Sequence, residues 1–218
     1  MTIYEEIQIL FKLKDVYRKT PNKDRFESTA EHTYSCLIFA DYFFNKYKFE
    51  LDKSRVFDLL LYHDIVEIES GDTFFMDEEH IKSQSEREKE GYNKLKLKIY
   101  SELREKYESL YEEYEARETK ESKFAHAIDK LEPFIHLLEY KDAWKKFGFT
   151  EENLNDKKIK YFEPFPEILK FYKEIMEYLQ VEWLSSSDLK KLVKNISLEL
   201  QTEFPKSKPV FRGWYQTK

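Results

Sequence analysis

The chain has 218 residues and few of the kinds that break or staple a fold: one cysteine, four glycines and six prolines. With Cys36 alone, no internal disulfide can form, which excludes the small cross-linked secreted scaffolds and fits a reducing cytoplasm. So little glycine and proline argues against a turn-rich β-sandwich or barrel and for long helices. No apolar run approaches the ~20 residues that span a bilayer. The acidic, amphipathic start Met1–Glu6 does not have the form of a signal peptide, so no membrane partner is expected. Lysine and arginine nowhere concentrate into a basic stripe and the net charge is −6, so nucleic acid is not the expected partner either. A small anionic ligand needs only one or two buried cations and stays compatible with this balance.

What the chain does have is aromatic bulk and mixed charge. Phenylalanine (18) and tyrosine (16) supply much of a 41% hydrophobic fraction, and the 37% of charged residues are interspersed with them, a composition that folds. No internal repeat or domain boundary stands out. The expectation is one all-α, helical bundle-like domain over 1–218, with a C-terminal helical part from about 141 onward. Cys36, next to Leu37, Ile38 and Phe39, reads as core and not as a nucleophile.

Periodicity places the elements. Ile3, Ile7, Leu10 and Phe11 mark an opening amphipathic helix to about Val16, and 17–27 reads as a polar connection containing Pro21. Ser28 with Glu31 forms a capping box for a helix to about Tyr47, with Ala30, Leu37, Ile38, Ala40 and Phe44 as its apolar positions. A helix over 54–68 puts Val56, Leu59, Leu60 and His63 on one face and ends at Gly71. After an acidic loop comes a charged helical stretch over 81–118, broken near Gly91 or Ser109, with Leu95, Ile99, Leu103 and Leu110 inward. The next helix, 121–140, buries Ala125, Ile128, Leu131 and Ile135. Residues 144–166 look less regular; helices follow over 166–183 and from about Asp188 to Leu200.

His63 and Asp64 sit in the apolar helix Leu59–Glu67, where an ionised carboxylate needs a strong partner. By itself the dipeptide reads more readily as a helix cap or an exposed turn of helix than as a site. Glu67, four residues after His63 and three after Asp64, puts three ligand-type side chains on one side of the helix. Imidazole nitrogen with carboxylate oxygen suits a divalent cation. His32, in the first turn after the capping box, and Asp129, flanked by Ile128 and Leu131, are the candidate distant ligands. Spacing does not show that their helices meet, and Asp129 is either outward-facing or buried and paired. His80, His126 and His136 read as structural or exposed.

The segments 13–18, Glu27–His32, Tyr62–Asp72 and Asp129–Glu132 together resemble the HD phosphohydrolase superfamily, and more narrowly the bacterial 5′-deoxynucleotidase group, over residues 10–135. The resemblance implies that His32, His63, Asp64 and Asp129 hold one divalent cation (Mn, Co, Mg, Fe, Ni or Zn). It further implies that Glu67 and Asp72 act beside it, that Arg18 contacts the substrate phosphate, and that a homodimer forms. The implied activity is hydrolysis of a nucleoside 5′-monophosphate through a metal-activated water. An HD hydrolase acting on a nucleoside triphosphate or other phosphoester, or a non-catalytic binding protein with a structural metal, are the alternatives. In the deoxynucleotidases an aromatic residue follows the arginine; here Lys19 stands there, leaving Tyr17, Tyr34 or Phe75 to supply a ring. Ile68 after Glu67 departs from the guanosine-tetraphosphate hydrolases, and no Gly-rich phosphate loop is present.

Overall fold

The computed structural model describes residues 3–183. The chain divides into two compact units, Met1–Tyr172 and Lys173–Lys218. Of the second, residues 173–183 are described, as the continuation of a helix; the helix expected up to Leu200 lies outside the described residues. No helix among the described residues is long and apolar enough to cross a membrane.

The first unit is helical around a buried centre. Helix α1 (Ile3–Phe11) runs into a short 3-10 turn, but its apolar stripe is not a core face: Ile9 is buried, whereas Ile7 and Phe11 are exposed. The expected polar connection is instead a β-hairpin, β1 (Tyr17–Asn22) and β2 (Arg25–Ser28), paired Asn22↔Arg25 and Pro21↔Phe26. Pro21 obscures it in sequence, since proline is tolerated in a strand only where its missing N–H faces no partner. Register slips between Tyr17 and Pro21, so a bulge surrounds Arg18 and re-aims its side chain. Helix α2 (Thr29–Lys46) opens with the expected capping box: Ser28 Oγ accepts from Glu31 N, and the Glu31 carboxylate accepts from Ser28 N at 2.9 Å. Of its expected apolar positions, Ala40 is buried, whereas Ile38 is exposed; Cys36 and Phe43 take the core places.

Helix α3 (Lys53–Tyr62) buries Val56, Leu59 and Leu60 as expected but stops at Tyr62, short of the expected end at Ile68. His63 Nδ1–H donates to the Leu60 carbonyl at 2.7 Å, and the backbone then tightens into i→i+3 bonds such as Glu67 N to Asp64 O. The segment restarts as α4 (Glu67–Ser70) and ends at Gly71, whose φ of 71° is a left-handed conformation that glycine adopts without strain.

The charged stretch forms α5 (Glu78–Lys98) and α6 (Ser101–Ala116), so the break falls at Ile99 and Tyr100 and not at Gly91 or Ser109. Gly91 serves close packing: a Cβ there would meet Val66 Cγ2 and Val66 O at 3.3 Å. Helix α7 (Lys120–Leu137) crosses α2 and α3 with Ala125, Ile128 and Leu131 buried; Ile135 is only half-buried, and Phe134 and Leu137 complete the stripe. The supposedly irregular region holds α8 (Lys141–Lys146) and α9 (Glu151–Phe162), joined through Gly148 at φ 66°. Asn153, a breaker by composition, is the reciprocal partner of Thr150 in a second capping box. Helix α10 (Pro166–Trp183) occupies the expected range.

Aromatic rings fill the core, with Phe124 fully buried against Phe44, Phe49 and Phe165 at centroid distances of 5.0–5.2 Å. Phe124→Ala leaves a cavity that such close packing cannot collapse, and urea unfolding should show a loss of about 3–5 kcal/mol.

Candidate functional site

Three helices bring the four candidate ligands to one point. His32 comes from the first turn of α2, His63 and Asp64 from the end of α3, and Asp129 from the middle of α7. His32 Nε2 lies 3.2 Å from Asp129 Oδ1 and 3.9 Å from Asp64 Oδ2. His63 Nε2 lies 3.0 Å from Asp64 Oδ2 and 3.9 Å from Asp129 Oδ1. Atoms bound to one cation at ~2.0–2.2 Å sit about 3–4 Å from each other, so this quadrilateral has the dimensions of a single-ion site.

Three of the four donors are oriented from behind, as ligand side chains require. His63 Nδ1 gives its hydrogen to Leu60 O, which leaves Nε2 with a lone pair; that atom is buried and has no hydrogen-bond partner among the described residues. His32 Nδ1–H donates to Glu132 Oε2 at 2.6 Å, turning Nε2 toward the same point. Asp129 Oδ2 accepts from Tyr114 Oη at 2.8 Å and from Lys130 Nζ at 2.7 Å, which frees Oδ1. Asp129 is therefore the buried, paired residue of the two options. Burial opposes its charge, but Lys130 and the His32 contact hold its carboxyl well below the usual carboxylate range.

The charge balance also fits a cation. Asp64, Glu67, Asp72 and Asp129 line one cleft, faced by Arg18 and Lys130. Burial and the repulsion of Asp64 and Asp72 push Glu67 well above the ordinary carboxyl range, even though Thr29 Oγ1 donates to its Oε2 at 2.9 Å. Asp72, directly after Gly71, is raised by burial as well, against the pull of Arg18. A divalent cation among these groups relieves that surplus of negative charge.

Arg18 sits over the ligands with Nη1 3.6 Å from Asp64 and 3.7 Å from Asp72, and Nε 3.4 Å from Glu27. Those separations are long for hydrogen bonds, so the fork is held in place with donor capacity to spare. Glu27 is fixed in turn by His136, whose Nδ1 is 3.3 Å from its Oε1 and whose Nε2–H donates to Pro21 O at 2.7 Å. Sequence reasoning gave His136 no such task, nor did it assign roles to Glu27, Glu132, Thr29 or Tyr114. The one available signal was spacing: Glu132 lies a helical turn after Asp129 on the same face.

The remaining candidates separate cleanly. Cys36 Sγ lies 3.5 Å from His32 Nε2, and His32, Cys36 and His63 converge within 4.8 Å; burial pushes the thiol up to about 12, so it packs there as a neutral group. His126 is buried, stacked on Tyr114 at 3.7 Å and bonded to Tyr114 O, and burial lowers its pKa to about 3; it braces the tyrosine that holds Asp129. His80 is exposed beside Asp77. Of the three rings considered, Tyr17 and Tyr34 face solvent, whereas Phe75 lines the cleft with Phe74, Phe147 and Phe149. Lys19 lines it as well, its Nζ 3.5 Å from Asp77.

The chain is similar to several known proteins. A family profile described as HD domain matches residues 10–169. The human protein named 5′-deoxynucleotidase HDDC2 is 29% identical over 160 residues, covering 73% of this chain and 74% of that one; its mouse counterpart is 28% identical, covering 73% and 76%. A solved structure from Magnetospirillum magnetotacticum, named "Predicted metal-dependent phosphohydrolase", shares 30% identity and a TM-score of 0.70, over 80% of this chain and 93% of that one. An HD-domain phosphohydrolase from Listeria innocua shares the fold, with a TM-score of 0.59 at 21% identity over 93% of this chain and all of that one.

The outer partner of His32 gives a test that leaves the donor atoms intact. Glu132→Gln keeps the shape but weakens the hold on Nδ1–H. Metal titration by calorimetry should show affinity lower by about 10- to 100-fold, and unchanged affinity would mean His32 does not bind through Nε2.

Proposed function

The chain belongs to the HD-domain family of metal-dependent phosphohydrolases, and we propose that it is a phosphomonoesterase acting on nucleoside 5′-monophosphates. The observation that carries this reading is the convergence of two imidazoles and two carboxylates, with His32, His63 and Asp129 oriented from behind, beneath a half-buried arginine. The names of its relatives, 5′-deoxynucleotidases at 28–29% identity, favour the nucleotide.

In this reading His32, His63, Asp64 and Asp129 hold one divalent cation, drawn from Mn, Co, Mg, Fe, Ni or Zn. When bound, such a cation lowers the pKa of a water molecule and withdraws charge from the phosphoryl group. Arg18, kept charged by Asp72, Asp64, Glu67 and Glu27 despite its burial, orients two phosphate oxygens with its fork. Glu67, which lines the cleft beside Asp64 and accepts from Thr29 Oγ1, takes the proton of the attacking water. Asp72 accepts a hydrogen bond from a sugar hydroxyl or assists the proton's departure. The wall of Phe74, Phe75, Phe147 and Phe149 offers ring faces to a base, with Phe75 in place of the aromatic residue that Lys19 replaces. A single cysteine suits work in the cytoplasm, and family resemblance suggests a homodimer.

Metal-stripped protein assayed on a panel of 5′-monophosphates should release phosphate only after Mn²⁺, Co²⁺ or Mg²⁺ is added back. No release from any of them at full metal occupancy would refute the reading. Asp64→Ala should abolish both metal retention and turnover, measured by elemental analysis and phosphate assay.

Glu67→Gln separates base from ligand. We expect kcat to fall by about 10²- to 10⁴-fold with metal content unchanged. A variant that loses its metal instead would reassign Glu67 to the coordination sphere.

A further inference from the structure

The cleft contains a cation for which the scheme above has no use. Lys158, on α9, lines it together with Arg18, Asp64, Glu67, Asp72 and Asp129. The other basic groups facing the cleft have settled contacts. Arg18 lies among Glu27, Asp64 and Asp72; Lys130 is joined to Asp129 at 2.7 Å, and Lys19 to Asp77 at 3.5 Å. Arg117 reaches the Tyr161 hydroxyl. No carboxylate among the described residues comes within ion-pair distance of Lys158, whose Nζ rests 4.3 Å from the centroid of Phe75.

Its position is built and not incidental. The Thr150–Asn153 capping box fixes the start of α9, and Leu154 anchors the helix in the core. Lys157 Nζ donates to Phe75 O at 3.2 Å, tying the helix to the loop that carries Asp72. The Phe75 ring that supports Lys158 is itself stacked on Phe149 at 5.4 Å. Burial, with Lys130, Arg18 and Lys157 nearby and only Asp129 opposing, lowers the Lys158 pKa to about 7. An ammonium held this way is destabilising by itself and becomes stabilising with an anion beside it.

We propose that Lys158 is a substrate-binding residue that joins Arg18 in holding the oxygens of the substrate's phosphate. The inference rests on the phosphoester-hydrolase reading of the cleft and is independent of which nucleoside the phosphate carries. In it, the two basic side chains approach the phosphate from different elements, Arg18 from the hairpin bulge and Lys158 from α9 across the Phe75 wall.

Inorganic phosphate is the probe, because its binding is read without turnover. Calorimetry on the Mn²⁺-loaded full-length protein should give a phosphate Kd about 10- to 100-fold higher for Lys158→Met than for the parent, with Lys158→Arg recovering most of the loss. The melting temperature of Lys158→Met should equal or exceed that of the parent, since the variant removes a half-buried cation that faces no carboxylate. Phosphate affinity within two-fold of the parent at equal metal content would overturn the proposal, as would a parent that binds no phosphate at millimolar concentration. Should Lys158→Met fail to fold, Lys158→Gln is judged by the same criterion. A protein that hydrolyses no nucleotide, yet loses phosphate affinity on this substitution, sinks the nucleotidase reading and supports Lys158. Parent-like hydrolysis and phosphate binding in the variant sink only the role of Lys158.

Discussion

Taking a carboxylate such as Asp129 out of water costs several kcal/mol unless donors meet its oxygens, and the way that cost is met organises the helices around it. Asp129 lies mid-helix on α7. Tyr114 reaches one of its oxygens from α6 and Lys130 from its own helix, and the His32 ring of α2 lies 3.2 Å from the other. Each partner is buttressed in turn: Tyr114 by the stacked ring of His126, His32 by Glu132. The network therefore joins three helices at the depth where an apolar core alone would permit them to slide. Replacing one member without the others leaves a buried charge uncompensated, so the arrangement specifies one packing register as well as one set of ligand orientations.

The same accounting explains why the reactive groups are not all at rest. Asp64, Glu67 and Asp72 repel one another across a short segment, and Arg18 answers them only in part, at separations of 3.6–3.7 Å from Asp64 and Asp72. The fold tolerates this surplus because rigid elements surround it. Gly91 lets α5 press against α4, and Arg87 pins the following loop through Ser70 O and Thr73. The bulge in β1 holds Arg18 over the cleft while Pro21 and Lys23 dock the hairpin on His136 and Tyr140. The repelling carboxylates sit in the cleft, and the packing that offsets them lies in the aromatic core.

Much of this could be seen in one dimension because it depends on local chemistry. The Ser28–Glu31 capping box needs only four consecutive residues, and the Val56, Leu59, Leu60 and His63 face needs only a helical period. Where non-local contacts decide, local patterns mislead. Ile7 and Ile38 share the helical period of the core yet are exposed, since periodicity marks a face without saying what covers it. Gly91 has the composition of a break but lies within α5, because its missing side chain serves a neighbouring helix. The hairpin was hidden because short edge strands of polar residues carry no alternation to detect.

The sequence by itself determined that the chain is helical, that His63, Asp64 and Glu67 fall near one another, and, through resemblance, which distant residues go with them. Those conclusions follow from spacing and from motif order, both of which are properties of the chain. Only the tertiary structure decided that His32 and Asp129 reach the same point, that Phe75 and not Tyr17 or Tyr34 lines the cleft, and that Lys158 stands there without a carboxylate. Burial and pairing belong to the space between elements, and residues far apart in the chain come to share that space only when the helices pack.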